Sequence, residues 1–178
     1  MSKHKIDQWA LPQVKQFRTY IDIGAHNGDT AIPYVEKFKR VYAFEPNPET
    51  NKLIPDTIRT FPYALGSLEL ETVLIIPDNG HNNNKHGSTV RFESGIRQYS
   101  VTQKTLDGFD FKEVDFIKID VEGAEMDVVM GAVNTIVKWR PVVMFENKLG
   151  RNDLVVDFFR KLKYNVKKYK SDWIAWYE

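Results

Sequence analysis

The sequence predicts an α/β fold, a mostly parallel sheet with helices on both faces. Three observations carry this expectation. Short β-prone runs alternate with segments of helical apolar spacing, joined by short connections. The 178 residues are the size of one domain and show no internal repeat. A composition of 42% hydrophobic and 28% charged residues belongs to a chain that buries a core, not to a disordered one.

Residues 1–18 are mixed in character, contain Pro12, and read as a short lead-in to a single domain spanning 1–178. Tyr20, Ile21 and Ile23 form a first strand that stops at Gly24. Helical character follows over 29–39. Pro33 fits there only in the first turn, behind Asp29 or Thr30 as the cap, where its missing N–H matters little. Val41 to Phe44 is a second strand, ending at Glu45. Residues 48–56 predict a short helix cut off by Pro55, and Phe61 to Leu65 a third strand. Val73 to Ile76 is a β-prone run. The stretch 78–84 after it has no apolar residue, so residues 78–88 are expected to form a solvated loop, mobile without substrate.

Val114 to Val121 reads as a strand, and residues 125–139 as one helix with Met126, Val129, Met130, Val133 and Val137 along its apolar stripe. Pro141 to Glu146 is a buried strand, and Leu154, Val155, Phe158, Phe159 and Leu162 stripe the next helix. Tyr164 to Tyr169 and Trp173 to Tyr177 close the chain as an antiparallel pair around Ser171 and Asp172.

Composition removes several function classes. Cysteine is absent, which excludes disulfides, thiolate zinc sites, iron–sulfur clusters and a cysteine nucleophile. Lys and Arg number 25 against 24 Asp and Glu, so the basic excess of a phosphate-binding domain is missing and no nucleic-acid partner is expected. No apolar run approaches the roughly 18 residues of a membrane span. The N-terminal MSKHKIDQWALPQVK carries charges but no apolar signal core. A soluble, cytoplasmic protein is the expectation.

In a parallel sheet of this kind, ligands sit at the carboxyl ends of the strands, near the point where strand order reverses. That rule singles out residues 22–29, Glu45, Ala64 and Leu65, residues 120–125, and Glu146. The segment Asp22-Ile23-Gly24-Ala25-His26-Asn27-Gly28-Asp29 leaves a strand and opens a helix, where glycine lets the backbone approach a ligand. Its Gly-x-x-x-Gly spacing is not the Gly-x-Gly-x-x-Gly of dinucleotide binders. An acid two residues before the first glycine suits an ammonium group better than a pyrophosphate; the plain alternative is an ordinary tight turn. Glu45 lies 21 residues after Gly24, where an acid accepts from ribose hydroxyls; its plain alternative is a solvated strand end. Together they describe a nucleoside ligand with a cationic far end, which S-adenosylmethionine fits.

The segments YIDIGAHNGDT, VYAFEPNPET, KTLDGF, VDFIKIDVEGAEMDVVMGA and RPVVMFE, in this order, resemble the FkbM family of S-adenosylmethionine-dependent methyltransferases. The resemblance covers roughly residues 19–147, with IKIDVEGAE its most specific piece. It implies the three-layer, Rossmann-like class I methyltransferase fold, with a seven-stranded sheet whose last strand is antiparallel. It also implies methyl transfer to a hydroxyl oxygen, often on a sugar, with S-adenosylhomocysteine as product. The family's cofactor residues carry onto Asp22, Gly24, Ala25, Gly28, Glu45 and Asp120, and the strand-end rule adds Ala64 and Leu65. The short stretch from Pro46 to Ala64, broken by Pro55, predicts a shallower adenine side.

Asp120, Glu122 and Glu125 crowd one strand end and repel unless a cation or hydrogen-bond donors lie near. Glu125 is equally read as an acid favourable to a helix N-terminus. Asp120 is expected to be the most sensitive catalytic position, with Glu122 or Glu146 as the base, and no metal is expected because no histidine accompanies these acids in sequence. His26, His81 and His86 read as solvated or cofactor-side, and Lys161, Lys163, Lys167, Lys168 and Lys170 as a solvated face. The expected partner is a small-molecule or carbohydrate acceptor. Two competing readings remain at this point: a cofactor-binding module without catalysis, and a nicotinamide-dependent oxidoreductase, which the glycine spacing disfavours.

Overall fold

The computed structural model describes residues 6–77, 96–146 and 153–178. Along the chain it forms β1 (Thr19–Ile23), β2 (Arg40–Phe44), α1 (Pro48–Asn51), β3 (Arg59–Phe61), β4 (Ala64–Leu65), β5 (Leu70–Pro77) and β6 (Ile96–Lys104). Then come β7 (Val114–Ile119), α2 (Glu125–Met130), α3 (Val133–Trp139), β8 (Val142–Glu146), α4 (Asp153–Lys161), β9 (Asn165–Tyr169) and β10 (Asp172–Trp176). The main sheet has seven strands in the order β3-β2-β1-β7-β8-β10-β9. Pairings from β3 to β8 are parallel, and β10 runs antiparallel to both of its neighbours. This is the expected α/β sheet with its antiparallel last strand. Strand order reverses between β1 and β7, so a crevice opens there at the carboxyl ends.

The central strands bury both faces. Ile21, Ile23, Ile117, Ile119, Val143 and Phe145 face one core, which α2, α3 and α4 cover. Tyr20, Ala43, Phe116, Val142 and Met144 face the other. Among the described residues no long helix covers that second face. Ile6, Ala10, Leu11 and Val14 pack there, as do Ala31, Tyr34 and Phe38. The lead-in is therefore part of the fold: a π-helical turn at Ile6–Ala10 buries Ile6 and Ala10 completely.

Several elements differ from expectation. The helix expected over 29–39 is a series of turns around a short 3₁₀ piece, Ile32–Tyr34, because Pro33 cannot donate within it. The expected third strand is split by Pro62. Its first part, β3, stays on the main sheet, while Ala64 and Leu65 pair with Gln103 and Lys104 in a separate three-stranded sheet. That sheet, β4-β6-β5, depends on β6, which has no sequence signal strong enough to mark it. The helix over 125–139 breaks at Gly131 and Ala132. A Cβ on Gly131 would lie 1.9 Å from the Gly66 carbonyl oxygen, so this backbone must pass closely over the end of β4. The buried apolar residues there are Val128, Val129, Ala132 and Ile136, whereas Met130 and Val137 of the expected stripe are 49% and 42% exposed. The five C-terminal lysines are exposed as expected. The loop expectation for 78–88, with His81 and His86, falls outside the described residues.

Candidate functional site

The turn after β1 is fastened to both neighbouring strands. The N–H groups of Gly24 and Ala25 donate to the Phe44 carbonyl at 3.0 and 3.1 Å, and Asp120 N–H donates to the Ile23 carbonyl at 3.0 Å. Gly24 has φ +76°, and a Cβ there would lie 2.0 Å from the Asp120 carbonyl oxygen. Glycine is thus required by the approach of β1 to the end of β7, and not only by space for a ligand. Gly28, with φ +84°, closes the turn by donating to the Ala25 carbonyl at 2.9 Å. Ala25 is buried beneath it.

Asp22 is fully buried. One of its oxygens accepts from Lys118 Nζ at 2.8 Å and the other from Thr30 Oγ1 at 2.6 Å. Its observed partners are therefore protein groups, and its effect on the site is to hold the glycine turn. Lys118, which the sequence reading passed over, is the hub. Its ammonium also donates to the Gly24 carbonyl at 3.2 Å and lies 3.7 Å from Asp120 Oδ2, with only 2% of the side chain exposed. Burial alone would drive its pKa down; Asp22 and Asp120 reverse that and raise it. The one signal in the sequence is a lysine inside an otherwise apolar strand, since Lys is rarely buried unless paired.

Glu45 ends β2, buried, with its carboxylate aimed by two backbone amides. His26 N–H donates to Oε2 at 2.7 Å and Asn47 N–H to Oε1 at 2.9 Å. A carboxylate offers about four acceptor positions, so the two amides leave others for a ligand's hydroxyls. Burial pushes its pKa up, against the lowering effect of those amides. Leu65 lies in the core and Ala64 is partly buried on the second sheet; neither is at the end of β3 as expected.

Across the crevice the carboxylates of Asp120, Glu122 and Glu146 gather, with oxygens within 4.8 Å of one another. Here the sequence-predicted acids from two strand ends do meet. Burial opposes ionisation of Asp120, but its neighbours, the Lys118 ammonium first among them, overcome it and hold its pKa far below the usual carboxylate range. Glu122 sits in left-handed backbone, φ 55°, which re-aims the chain before Gly123. Glu125 lies near this group without joining it: it is buried and accepts the Gly123 N–H at 3.0 Å, and burial, with the charges of Asp120 and Glu122 nearby, raises its pKa.

Comparison with known proteins places these features in a family. The profile of the family described as Methyltransferase FkbM domain matches residues 22–166. A hexuronic acid methyltransferase, AglP, from Haloferax volcanii is 28% identical over 127 residues, covering 65% of this chain and 50% of its own length. The chain thus spans about half the length of that curated relative. Among solved structures, the methyltransferase FkbM from Methylobacillus flagellatus KT superposes with TM-score 0.65 at 15% identity, over 90% of this chain and 43% of that one. A putative methyltransferase from Streptococcus mutans, solved in complex with SAH, gives TM-score 0.57 at 9% identity over 99% and 98% of the two chains. At such identities the structural likeness is one of fold.

Proposed function

The chain belongs to the FkbM methyltransferase domain family, and from that premise we propose that it is an S-adenosylmethionine-dependent O-methyltransferase acting on a hydroxyl of a carbohydrate or similar small acceptor. The observation that carries the reading is Glu45: a buried carboxylate at the end of β2, oriented by two amides and with acceptor positions remaining. Such a group suits the two vicinal hydroxyls of a ribose. The turn from Gly24 to Gly28 lies beside it and would take the amino-acid portion. The AglP relative, a hexuronic acid methyltransferase by name, supports a sugar acceptor.

The bound cofactor supplies an electrophilic methyl on a sulfonium. The chain's own task is to orient the acceptor hydroxyl and take its proton. Asp120 is held ionised by Lys118, which makes it a weak base but a fixed negative charge beside the crevice. Glu122 and Glu146 are the proton-handling groups we assign. Both carboxylates lie in the cluster around Asp120, and Glu122 is closer to solvent than Glu146. A positioned base of this kind contributes roughly 10²–10⁴-fold. We read the acids as metal-independent because Lys118 already brings a positive charge against Asp120, one of the three.

Calorimetry with S-adenosylmethionine and with NAD, followed by a labelled-methyl screen over glycans and hydroxylated metabolites, tests this reading. Binding of the first ligand and not the second, with label on an oxygen of a carbohydrate, is expected. Binding without transfer to any acceptor would instead favour a cofactor-binding module. Activity should survive a chelator; loss in chelator restored by magnesium would overturn the metal-independent part.

A further inference from the structure

The four-residue helix α1 is too short to hold itself in water, yet it borders Glu45. What fixes it comes from both sides. On the site side, Asn47 caps it, its side chain accepting from Glu49 N–H at 3.0 Å while its own N–H reaches Glu45 Oε1. Asn51 Nδ2 donates to the Glu45 carbonyl at 2.7 Å. On the far side stands β6 of the second sheet. Tyr99 donates its hydroxyl to Glu49, and Arg97 pairs with the same carboxylate. Tyr99, Val101 and Gln103 share the strand face that turns inward: Val101 is buried, and Gln103 Nε2 donates to the Leu68 carbonyl at 3.0 Å. The second sheet is thus seated at one end and grips α1 at the other.

We propose that Glu49, Tyr99 and Arg97 form a clasp that positions Glu45, so that the second sheet sets how tightly the ribose of the cofactor is held. The inference rests on the reading of Glu45 given above. None of the three residues touches the ligand in this account; they act through Asn47. The Arg97–Glu49 pair is half exposed on both sides and is worth little alone. The Tyr99 hydroxyl on the same carboxylate is the stronger link, because it is partly buried where the Arg97 pair is exposed, and its acceptor is charged. It also holds Glu49 below the usual carboxylate range, so the clasp persists in mild acid.

The test is calorimetric titration of the full chain with S-adenosylhomocysteine and with its 2′,3′-dideoxy analogue, which lacks the hydroxyls that Glu45 would bind. The proteins are wild type, Glu49→Ala, Tyr99→Phe and Glu45→Gln, each checked for folding by circular dichroism. Wild type should favour the hydroxylated ligand. In Glu49→Ala that preference should shrink by about three- to tenfold, part of the effect of one charge-assisted hydrogen bond, with little change for the dideoxy analogue. Tyr99→Phe, which deletes a single oxygen, should move the same way by less and carries the test if Glu49→Ala does not fold. Equal weakening of both ligands, or an unchanged preference, would overturn the clasp while leaving the cofactor reading in place. A folded wild type that binds neither ligand overturns the cofactor reading and this inference with it.

Discussion

The two sides of the crevice hold buried acids in opposite ways. At the end of β2, Glu45 is met by neutral backbone amides, and burial wins: its pKa rises. At the end of β7, Asp120 is met by the ammonium of Lys118, and burial loses: its pKa falls. Dipoles orient a carboxylate without neutralising it, so Glu45 keeps both acceptor capacity and sensitivity to acid. A fixed cation commits its partner to the ionised state. The first arrangement suits recognition of hydroxyls, the second a constant field beside a reacting centre.

The difference hangs on Lys118, so its removal should have the largest effect. Lys118→Met would leave Asp22 and Asp120 without their buried cation, a loss on the order of 3–5 kcal/mol of stability. Denaturant unfolding would measure it; a midpoint near that of wild type would show that the ammonium is not what holds the glycine turn to β7. Glu45→Ala should cost about 1.5–3 kcal/mol of cofactor affinity, the worth of hydrogen bonds to a charged group, with the fold intact. Unchanged affinity by calorimetry would remove Glu45 from the cofactor side. Asp120→Asn should lower turnover by at least about tenfold, or ~1.4 kcal/mol of barrier, while cofactor affinity changes less than in Glu45→Ala. Wild-type turnover in that variant would take the fixed charge out of the mechanism.

The two sides also differed in how legible they were. Glu45 could be found because strand, acid and glycine turn are local patterns, and its distance from Gly24 is set by one βα unit. Asp120, Glu122 and Glu146 follow from the strand-end rule, and the structure brings them together. Lys118 could not be assigned a role, because its meaning lies in Asp22, 96 residues earlier in the chain. For the same reason Asp22 looked like a ligand group: nothing in its neighbourhood shows that a distant ammonium already occupies it. The fold shows the same division. Apolar strands of the main sheet were visible, whereas β6 was not. Its segment Arg97-Gln98-Tyr99-Ser100-Val101-Thr102-Gln103-Lys104 is largely polar and gains its place by pairing with β5 and β4. The break in the helix at Gly131 is likewise dictated by Gly66, far away in sequence.

Acid should separate the two sides with the smallest perturbation. Burial raises the Glu45 pKa above its ordinary value of 4.5, so on acidification it gains a proton earlier than an exposed glutamate would. For folding, the sign favours acid: the native state binds that proton more tightly than the unfolded chain, so this group's contribution to stability grows as pH falls through the raised value. For the ligand the sign is opposite, because a protonated carboxyl is a poorer acceptor for ribose hydroxyls. Asp120 behaves the other way. Its pKa is depressed from 3.8, so the stability it contributes is present above that value and is lost only as pH falls below it. Between neutrality and pH 4.5, then, cofactor affinity should weaken, approaching about tenfold per pH unit below the Glu45 pKa, while the fold and the Asp120–Lys118 pair stay intact. Glu45→Gln should bind more weakly at neutral pH but show a nearly flat profile over the same range. Affinity in wild type that holds constant down to pH 4.5, with circular dichroism showing a folded chain, would mean that the ribose is held by a group other than Glu45.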